Sequence, residues 1–245
     1  MKDYKKGSIN SIETLGLVDG PGIRVVVFLN GCKLRCKYCH NPEMWKLQEN
    51  NYSSFELVEK LLRYKPYFKN GGGVTFSGGE PLLQNDFLIE VCKELKKENI
   101  HIALDTAGVG LGKYEELLKY IDLILFDVKS TSSSGFINLT GYNSKETFEF
   151  LKSANKLNKT FWVRQVIIPD VNDNLDYLKS LKEYINLYIK NVEKVEFLPF
   201  HRLGEEKYQK LNIDYPYKFK NDMDKDKCNE LLETFFENVK KVEFL

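Results

Sequence analysis

Residues 24–42 read RVVVFLNGCKLRCKYCHNP, an apolar run followed almost at once by three closely spaced cysteines. The run Arg24–Leu29 is nearly continuous in β-branched and apolar residues, which is typical of a strand buried on both faces of a parallel sheet. In parallel α/β barrels the working residues lie where strands end and loops begin. The stretch therefore predicts a central strand that delivers its cysteines to a functional rim.

Five further apolar runs follow along the chain, and longer amphipathic segments separate them. The predicted strands are Arg24–Leu29, Gly73–Phe76, Ile100–Leu104, Leu123–Val128, Phe161–Ile168 and Lys194–Leu198. The predicted helices are Ser54–Tyr64, Asn85–Glu98, Tyr114–Tyr120, Ser144–Leu157, Leu175–Tyr188 and Lys225–Val239, and residues 204–224 are expected to form a long loop. Six such units without a linker predict an α/β fold, a partial (β/α)6 TIM-like barrel in a single domain over residues 1–245.

Polar residues lie at the end of every predicted strand or within it. They are Asn30, then Ser77, Gly78, Gly79 and Glu80, then Asp105 and Thr106, then Asp127 and Lys129, then Arg164 and finally His201. Because the carboxyl ends of parallel strands share one edge, we expect these side chains to meet at one rim.

The composition limits the possible classes of function. Of 245 residues, 42% are hydrophobic, and 36 basic residues nearly balance 35 acidic ones, which leaves a formal charge of +1. Such a small net charge does not suggest nucleic acid as a partner. Residues 1–10 lack the apolar core of a signal peptide, and no apolar run approaches membrane-spanning length. We therefore expect a cytoplasmic protein with no nucleic acid and no membrane among its partners.

Five cysteines are present, and Cys32, Cys36 and Cys39 fall within eight residues. An odd total with such clustering does not suggest a secreted disulfide framework, and in a reducing compartment bunched thiols bind metal or carry out redox chemistry. Cys92 and Cys228 lie instead on apolar stripes of predicted helices, where a buried thiol behaves as a small hydrophobe.

Two metal sites are compatible with the clustered thiols. Three thiolates at this spacing can each bind one iron of a [4Fe–4S] cluster, and with no fourth cysteine nearby one iron stays open for reaction. The alternative is a zinc site that adds His40 to the three cysteines. Adjacent Cys39 and His40 would reach one tetrahedral ion only with strain, so the spacing favours the cluster.

The Cys-x3-Cys-x2-Cys spacing, with Tyr38 before the last cysteine, is the signature of radical S-adenosylmethionine (SAM) enzymes. Within that superfamily the chain resembles the glycyl-radical-enzyme activating family, and most closely the activating enzymes of pyruvate formate-lyase. The residues that carry the resemblance are Val18–Arg24, Tyr38–Asn41, Gly71–Thr75, Ser77–Glu80, Leu104–Thr106, Asp127–Lys129 and Leu198–His201. Each motif is weak alone, but their order and spacing extend over nearly the whole chain. The resemblance implies a partial barrel of the radical SAM type.

The resemblance also implies an activity and its cofactors. In such enzymes SAM binds the open iron, and an electron from the reduced [4Fe–4S] cluster cleaves SAM to methionine and a 5′-deoxyadenosyl radical. That radical removes a hydrogen atom from the α-carbon of one glycine in pyruvate formate-lyase (formate C-acetyltransferase), which needs its glycyl radical in anaerobic glucose metabolism. The cofactors supply the chemistry, so no residue is expected to act as a general acid or base.

Site residues follow from the resemblance, position by position. The implied cluster ligands are Cys32, Cys36 and Cys39, and the implied SAM-binding residues are Tyr38, His40, Gly78, Gly79, Glu80, Asp105, Asp127, Lys129, Arg164 and His201. Lys129 and Arg164 are expected to anchor the carboxylate or ribose of SAM. The two glycines also allow a plainer interpretation, as an ordinary turn after a strand.

A monovalent cation site is a further implication. Asp105, Thr106 and Asp127 match positions that help bind Na⁺ or K⁺ beside the SAM carboxylate, and oxygen ligands suit a hard cation. The chain departs from the family at Ala107, where asparagine is expected. The alternative is that both aspartates only cap helices after their strands.

The segment Asp19, Gly20, Pro21 and Gly22 is a turn by composition. It matches the family's loop near the entry point of the partner's glycine loop. The resemblance thus implies pyruvate formate-lyase as the protein substrate and flavodoxin or ferredoxin as the electron donor. It also implies a monomer that engages its partner transiently.

Two other functions stay open at this point. One is a radical SAM enzyme that activates a different glycyl radical enzyme or acts on a small molecule. Several such activases carry a ferredoxin-like insertion with extra cysteines, but residues 42–71 contain no cysteine, so we expect residues 31–42 to be the only cluster loop. The other is a zinc-stabilised binding module without catalysis.

Overall fold

A computed structural model describes residues 3–236 as an α/β fold centred on a seven-stranded sheet. The strands are β1 (Lys6–Gly7), β2 (Ile9–Gly16), β3 (Arg24–Leu29), β4 (Tyr52–Ser53), β5 (Gly73–Gly78), β6 (His101–Thr106), β7 (Leu123–Asp127), β8 (Thr160–Ile167) and β9 (Asn191–Pro199). β1 and β4 form a separate antiparallel pair, and β2 lies antiparallel to β3 at the edge of the main sheet. From β3 onward the strands of that sheet are parallel and lie in chain order. Their carboxyl ends therefore share one edge.

Helices connect the parallel strands and cover the sheet. They are α1 (Ser54–Leu62), α2 (Asn85–Lys97), α3 (Tyr114–Leu118), α4 (Ser133–Thr140), α5 (Lys145–Lys156), α6 (Leu175–Tyr188), α7 (Glu205–Lys210) and α8 (Lys225–Phe235). Apolar residues at helical spacing form the buried face of α2, including Leu88, Val91 and Leu95. Cys92 lies on the same face, and Cys228 is likewise buried in α8, as expected for structural thiols. In the described part of the chain no helix has the length and apolar character needed to cross a membrane.

All six predicted strands are confirmed as the six parallel strands, within a few residues at each end. The helix predicted over Lys225–Val239 is described as far as Phe235, and its predicted end lies outside the described residues. The long loop predicted over residues 204–224 contains one helix, α7, so that prediction was only partly right.

Two elements near the site were not predicted. The edge strand β2 has register shifts between Ile9 and Ser11 and between Thr14 and Gly16, and such bulges break the alternation that identifies a strand. The helix α4 begins in the run Ser132–Gly135, a composition typical of turns. The Ser132 side chain nevertheless accepts a hydrogen bond from the Gly135 backbone N–H, which caps the helix.

Candidate active site

A cavity of about 660 Å³ lies at the carboxyl ends of the parallel strands. Its wall includes most of the predicted site residues: Asp19, Cys32, Cys36, Tyr38, Cys39, His40, Gly78, Gly79, Glu80, Asp105, Thr106, Asp127, Lys129 and His201. Arg164 and Gly20, Pro21 and Gly22 are not among the residues that line it. The cavity therefore combines groups from five different strand ends in one space.

The cysteine loop is held in place mainly by backbone hydrogen bonds. The Cys32 N–H donates to the Trp45 carbonyl at 3.0 Å, which pins the start of the loop. Arg35 and Lys37 donate their N–H groups to the carbonyls of Thr140 and Leu139 at 2.7 and 3.0 Å. The loop is thus bonded along its middle to the end of α4, the helix that the sequence did not predict.

The three thiols sit in a poorly solvated environment. Burial raises the pKa of Cys32 to about 12 and that of Cys36 to about 11, and it also raises the pKa of Cys39. Thiols of this kind ionise only beside a strongly positive group, and ligation to metal deprotonates a thiol outright. The Asn41 N–H lies 3.4 Å from the Cys39 sulfur, the kind of contact that stabilises a sulfur ligand. The donor set therefore fits an iron–sulfur cluster.

The zinc alternative does not fit the geometry. The His40 Nε2 atom lies 2.9 Å from the carbonyl oxygen of His201, and the two imidazole rings stack with centroids 4.1 Å apart. Across residues 3–236, no three His, Cys, Asp or Glu side chains form a group that could hold one metal ion. A cluster does not require such convergence, since each thiolate binds a different iron.

Gly78 and Gly79 bring the end of β5 against the cysteine loop. Gly78 has a φ of 110°, and a Cβ at Gly79 would clash with the carbonyl oxygen of Gly31. The Gly79 and Glu80 N–H groups donate to the carbonyls of Leu29 and Gly31, each at 2.8 Å. Glycine is therefore required at these two positions for backbone packing.

Glu80 is fully buried and its carboxylate is occupied by neighbouring groups. It accepts hydrogen bonds from the Thr106 hydroxyl at 2.6 Å and from the Ala107 N–H at 3.0 Å. The Thr106 hydroxyl also accepts from the Gly108 N–H at 2.8 Å. Burial outweighs these bonds and raises the pKa of Glu80 to about 7. Glu80 therefore anchors the segment after β6, and the Thr106 hydroxyl keeps one acceptor lone pair.

Charged groups form another part of the cavity wall. Asp105 accepts a hydrogen bond from the Ser77 hydroxyl at 2.7 Å, and burial together with the negative charge of Asp127 raises its pKa to about 6. Lys129 pairs with Asp127 at 2.8 Å and lies 5.5 Å from the centre of the buried Tyr38 ring. Two adjacent carboxylates with one paired lysine form a site suited to a ligand with both positive and negative groups.

Arg164 lies behind this wall rather than in it. Its Nε atom pairs with Glu196 at 2.8 Å, and its Nη1 atom is 3.9 Å from Asp105. Although burial lowers its pKa, the charges of Asp105 and Glu196 raise it above the ordinary value. Sequence reasoning missed Glu196, which also pairs with Lys194 at 2.6 Å. A charged residue inside an apolar strand was the available signal, since a buried charge needs a partner.

The segment predicted to meet the partner protein is tethered by two buried arginines. Arg24 is fully buried and donates to the Pro21 carbonyl at 2.9 Å, and the Arg164 Nη2 donates to the Val18 carbonyl at 2.7 Å. The Thr75 hydroxyl donates to the Asp19 carbonyl at 2.6 Å. Burial also raises the pKa of Asp19, the one residue of its motif that reaches the cavity.

His201 lines the cavity and carries an unsatisfied polar atom. Its Nδ1 atom is buried and has no hydrogen-bond partner among the described residues. A buried polar atom of this kind normally finds a protein or ligand partner. The opposed charges of Asp105, Asp127 and Lys129, together with the glycine backbone, make the cavity a good fit for a polar zwitterionic ligand such as SAM.

Residues 18–147 match the family described as a 4Fe-4S single cluster domain. The pyruvate formate-lyase-activating enzyme of Clostridium pasteurianum is 50% identical over 227 residues, which cover 92% of this chain and 95% of that protein. The enzyme of the same name from Staphylococcus epidermidis is 42% identical over 226 residues, which cover 88% of this chain and 89% of that protein.

Solved structures show the same fold at lower identity. A domain of a pyruvate-formate lyase-activating enzyme from Bacteroides vulgatus has a TM-score of 0.53 at 22% identity and covers 67% of this chain and 92% of its own. A radical SAM methyltransferase from Sphaerobacter thermophilus has a TM-score of 0.62 at 14% identity and covers 86% of this chain and 63% of its own. These likenesses confirm the predicted partial barrel.

Proposed function

The chain belongs to the family of pyruvate formate-lyase-activating enzymes, and we propose that it generates the glycyl radical of pyruvate formate-lyase. The observation that carries this proposal is one cavity whose wall combines three poorly solvated thiols with two carboxylates and a lysine. Binding modules do not need such a constellation, whereas a cluster that shares its space with a charged ligand does.

The thiol side suits the cluster. Cys32, Cys36 and Cys39 would hold a [4Fe–4S] cluster, and the Asn41 N–H would stabilise one sulfur ligand. When bound, the cluster and SAM supply the electron and the 5′-deoxyadenosyl radical that take a hydrogen atom from a glycine. The chain's own contribution is to hold the three thiols close together, with Cys36 only 8% exposed.

The charged side suits SAM. Asp105 and Asp127 would face its amino group, and Lys129 its carboxylate, while the backbone of Gly78 and Gly79 allows close approach. His40 and His201 line the same space. Such contacts would position the ligand, and positioning is the chief contribution that protein groups make to a reaction of this kind.

A sodium or potassium ion is the third ligand that we propose. Asp105 and Asp127 are close enough for the charge of one to raise the pKa of the other, and a cation between them would relieve that repulsion. The two carboxylates would carry the site. The Thr106 hydroxyl, which donates to Glu80 and accepts from Gly108, would add its remaining lone pair.

The partners and setting are inferred from the family. We infer that the glycine loop of pyruvate formate-lyase approaches Asp19, Gly20, Pro21 and Gly22, since Asp19 lies both in that motif and at the cavity. Flavodoxin or ferredoxin would supply the electron. We also infer a cytoplasmic monomer whose residues 1–245 form one radical SAM domain, with the cluster loop at residues 31–42 and no ferredoxin-like insertion.

The decisive experiment is carried out without oxygen. The reconstituted protein is reduced and mixed with SAM and pyruvate formate-lyase, and electron paramagnetic resonance (EPR) is recorded. We expect a glycyl radical doublet on the partner, together with 5′-deoxyadenosine. The Cys36→Ala variant should give neither product, and the Cys92→Ala variant, which alters a thiol outside the cavity, should give both.

Each other result has a definite meaning. Deoxyadenosine without the doublet would indicate a different substrate, such as another glycyl radical enzyme or a small molecule. Neither product from protein with a full cluster, as measured by iron and sulfide content, would refute the proposed activity.

A further inference from the structure

Three basic residues occupy alternate positions of the cluster loop. Lys33, Arg35 and Lys37 lie between Cys32 and Tyr38, and the loop has a strand-like alternation of buried and accessible side chains. Leu34, Cys36 and Tyr38 are each at most 8% exposed, whereas Arg35 is exposed and Lys37 is partly exposed. The Cys36 thiol therefore points into the protein, whereas the Arg35 and Lys37 side chains reach the surface.

Lys33 forms an ion pair with a carboxylate, whereas, among the described residues, Arg35 and Lys37 bond only to neutral groups. Lys33 pairs with Glu146 at 2.8 Å, so it contributes little net charge. Lys37 donates to the side-chain oxygen of Asn138 at 2.8 Å, and Arg35 donates to the Cys32 and Leu34 carbonyls. Within residues 3–236, neither of these two residues forms an ion pair.

Neighbouring residues extend this surface. Lys46 is exposed and also forms no ion pair in the described part of the chain, and the nearby Glu43 is already paired with Lys207 at 2.6 Å. Arg35 lies 4.9 Å from the centre of the Trp45 ring, and Leu47 is 59% exposed. The result is a positive surface with an apolar component, which we call the cationic loop face: Arg35, Lys37, Trp45, Lys46 and Leu47.

We propose that the cationic loop face docks flavodoxin, a small acidic one-electron carrier, and passes its electron to the cluster through the loop. This inference rests on the proposed function, because the cluster is the electron's destination. Flavodoxin is oxidised by one electron and the cluster is reduced by one, and no bond or heavy atom is exchanged. The backbone of Arg35–Lys37 is the layer between this face and the Cys36 thiol, so a carrier bound here is next to its acceptor.

Charge complementarity favours this occupant over the enzyme that receives the radical. Transient electron-transfer partners form small interfaces and depend on electrostatic steering for a fast encounter. The substrate glycine must instead reach the cavity, and its proposed loop at Asp19–Gly22 is tethered to Arg24, Thr75 and Arg164. The two surfaces belong to different elements.

The test measures reduction of the cluster by flavodoxin hydroquinone in an anaerobic stopped-flow instrument. The holoenzyme is compared with a Lys37→Glu, Lys46→Glu double variant and with a matched Lys182→Glu, Lys190→Glu control. The control makes the same charge change at exposed positions of α6 and just beyond it. At low salt we expect the double variant to be reduced about 10-fold or more slowly, the range that steering gives, and the control to match the wild type. Reduction by dithionite should be equal in all three.

Several results would overturn the inference. Equal rates with flavodoxin in all three proteins would do so, as would a control as slow as the double variant. A raised KM for pyruvate formate-lyase under dithionite, with normal flavodoxin reduction, would assign the face to the substrate protein instead. If the double variant lost its cluster, the salt dependence of the wild-type reduction rate would decide instead. A rate that is the same at low and high salt excludes a charge-steered encounter and would overturn the inference. Failure of SAM cleavage with every reductant would refute the proposed function but leave this measurement valid.

Discussion

The thiol side and the charged side of the cavity are built in opposite ways. The thiol side is one continuous loop whose three cysteines fall within eight residues, and backbone hydrogen bonds hold it. The charged side is assembled across strands: Asp127 on β7 is in register with Arg164 on β8, which is in register with Glu196 on β9. One side thus depends on local spacing, and the other depends on the register of a parallel sheet.

Because of this difference, substitutions on the two sides should have different effects on activity and stability. Loss of one thiol removes one of the three cysteine ligands, and the cluster needs all three. A lost charge on the other side leaves its buried partner unpaired, and the cost then appears in stability as well as in activity.

The largest effect is expected on the thiol side. Cys36→Ala should abolish SAM cleavage and lower bound iron, because two thiolates cannot hold the cluster in place of three. The stability of the protein without its cluster should change little by comparison. Deoxyadenosine formation and iron content measure the two effects, and normal activity in this variant would break the distinction between the sides.

The next largest effect is expected for Arg164→Gln on the charged side. This change leaves Glu196 and Asp105 without their buried cation, and removal of one partner from such a pair costs about 3–5 kcal/mol of unfolding free energy. Denaturant unfolding measures it. Lys194→Gln removes the more peripheral partner of Glu196 and should cost less than half as much. Equal losses in the two variants would show that Arg164 has no special position in the network.

A smaller effect of opposite sign is expected for Asp105→Asn. The folded state raises the pKa of Asp105 from 3.8 to about 6, so the native protein binds this proton more tightly than the unfolded chain. The free energy of unfolding should therefore fall as pH rises from about 4 to 6, and the neutral variant should lack this fall. At pH 7 the variant should be more stable by about 1–3 kcal/mol.

Function should change in the other direction for the same variant. Wild-type SAM binding should strengthen as pH rises through about 6 and should respond to Na⁺ or K⁺, whereas Asp105→Asn should show neither response. Titrations of SAM at pH 5.5 and 7.5, with and without the salts, make the comparison. Retention of the cation response would remove Asp105 from the proposed site.

The smallest effect is expected for Ser132→Ala. Loss of the cap on α4 should cost about 1 kcal/mol of unfolding free energy, since the Gly135 N–H loses its acceptor. SAM cleavage should persist, because α4 supports the cysteine loop through the carbonyls of Leu139 and Thr140 at its other end. Loss of the cluster in this variant would show that the thiol side also depends strongly on tertiary support.

Two buried arginines show why burial alone did not identify the functional residues. Arg24 donates to carbonyls and to the Thr75 hydroxyl, and burial lowers its pKa to about 10. Arg164 has carboxylate partners that raise its pKa above the ordinary value, although burial opposes them. From the sequence, Arg164 was expected to contact SAM, but the structure places it one layer behind the cavity wall.

The sequence by itself determined the six parallel strands and the common rim, because continuous apolar runs and the residues that end them are local properties. It also determined the three-cysteine loop, because the spacing of thiols along the chain already limits what they can bind.

The tertiary structure alone decided the pairing of Arg164 with Glu196, the bonds that occupy Glu80 and Thr106, and the contact between α4 and the cysteine loop. Each of these joins groups that are distant in the chain, and their energies depend on burial and on distances of a few ångströms. Spacing in the sequence does not encode those distances; the register of the sheet and the packing of the helices create them.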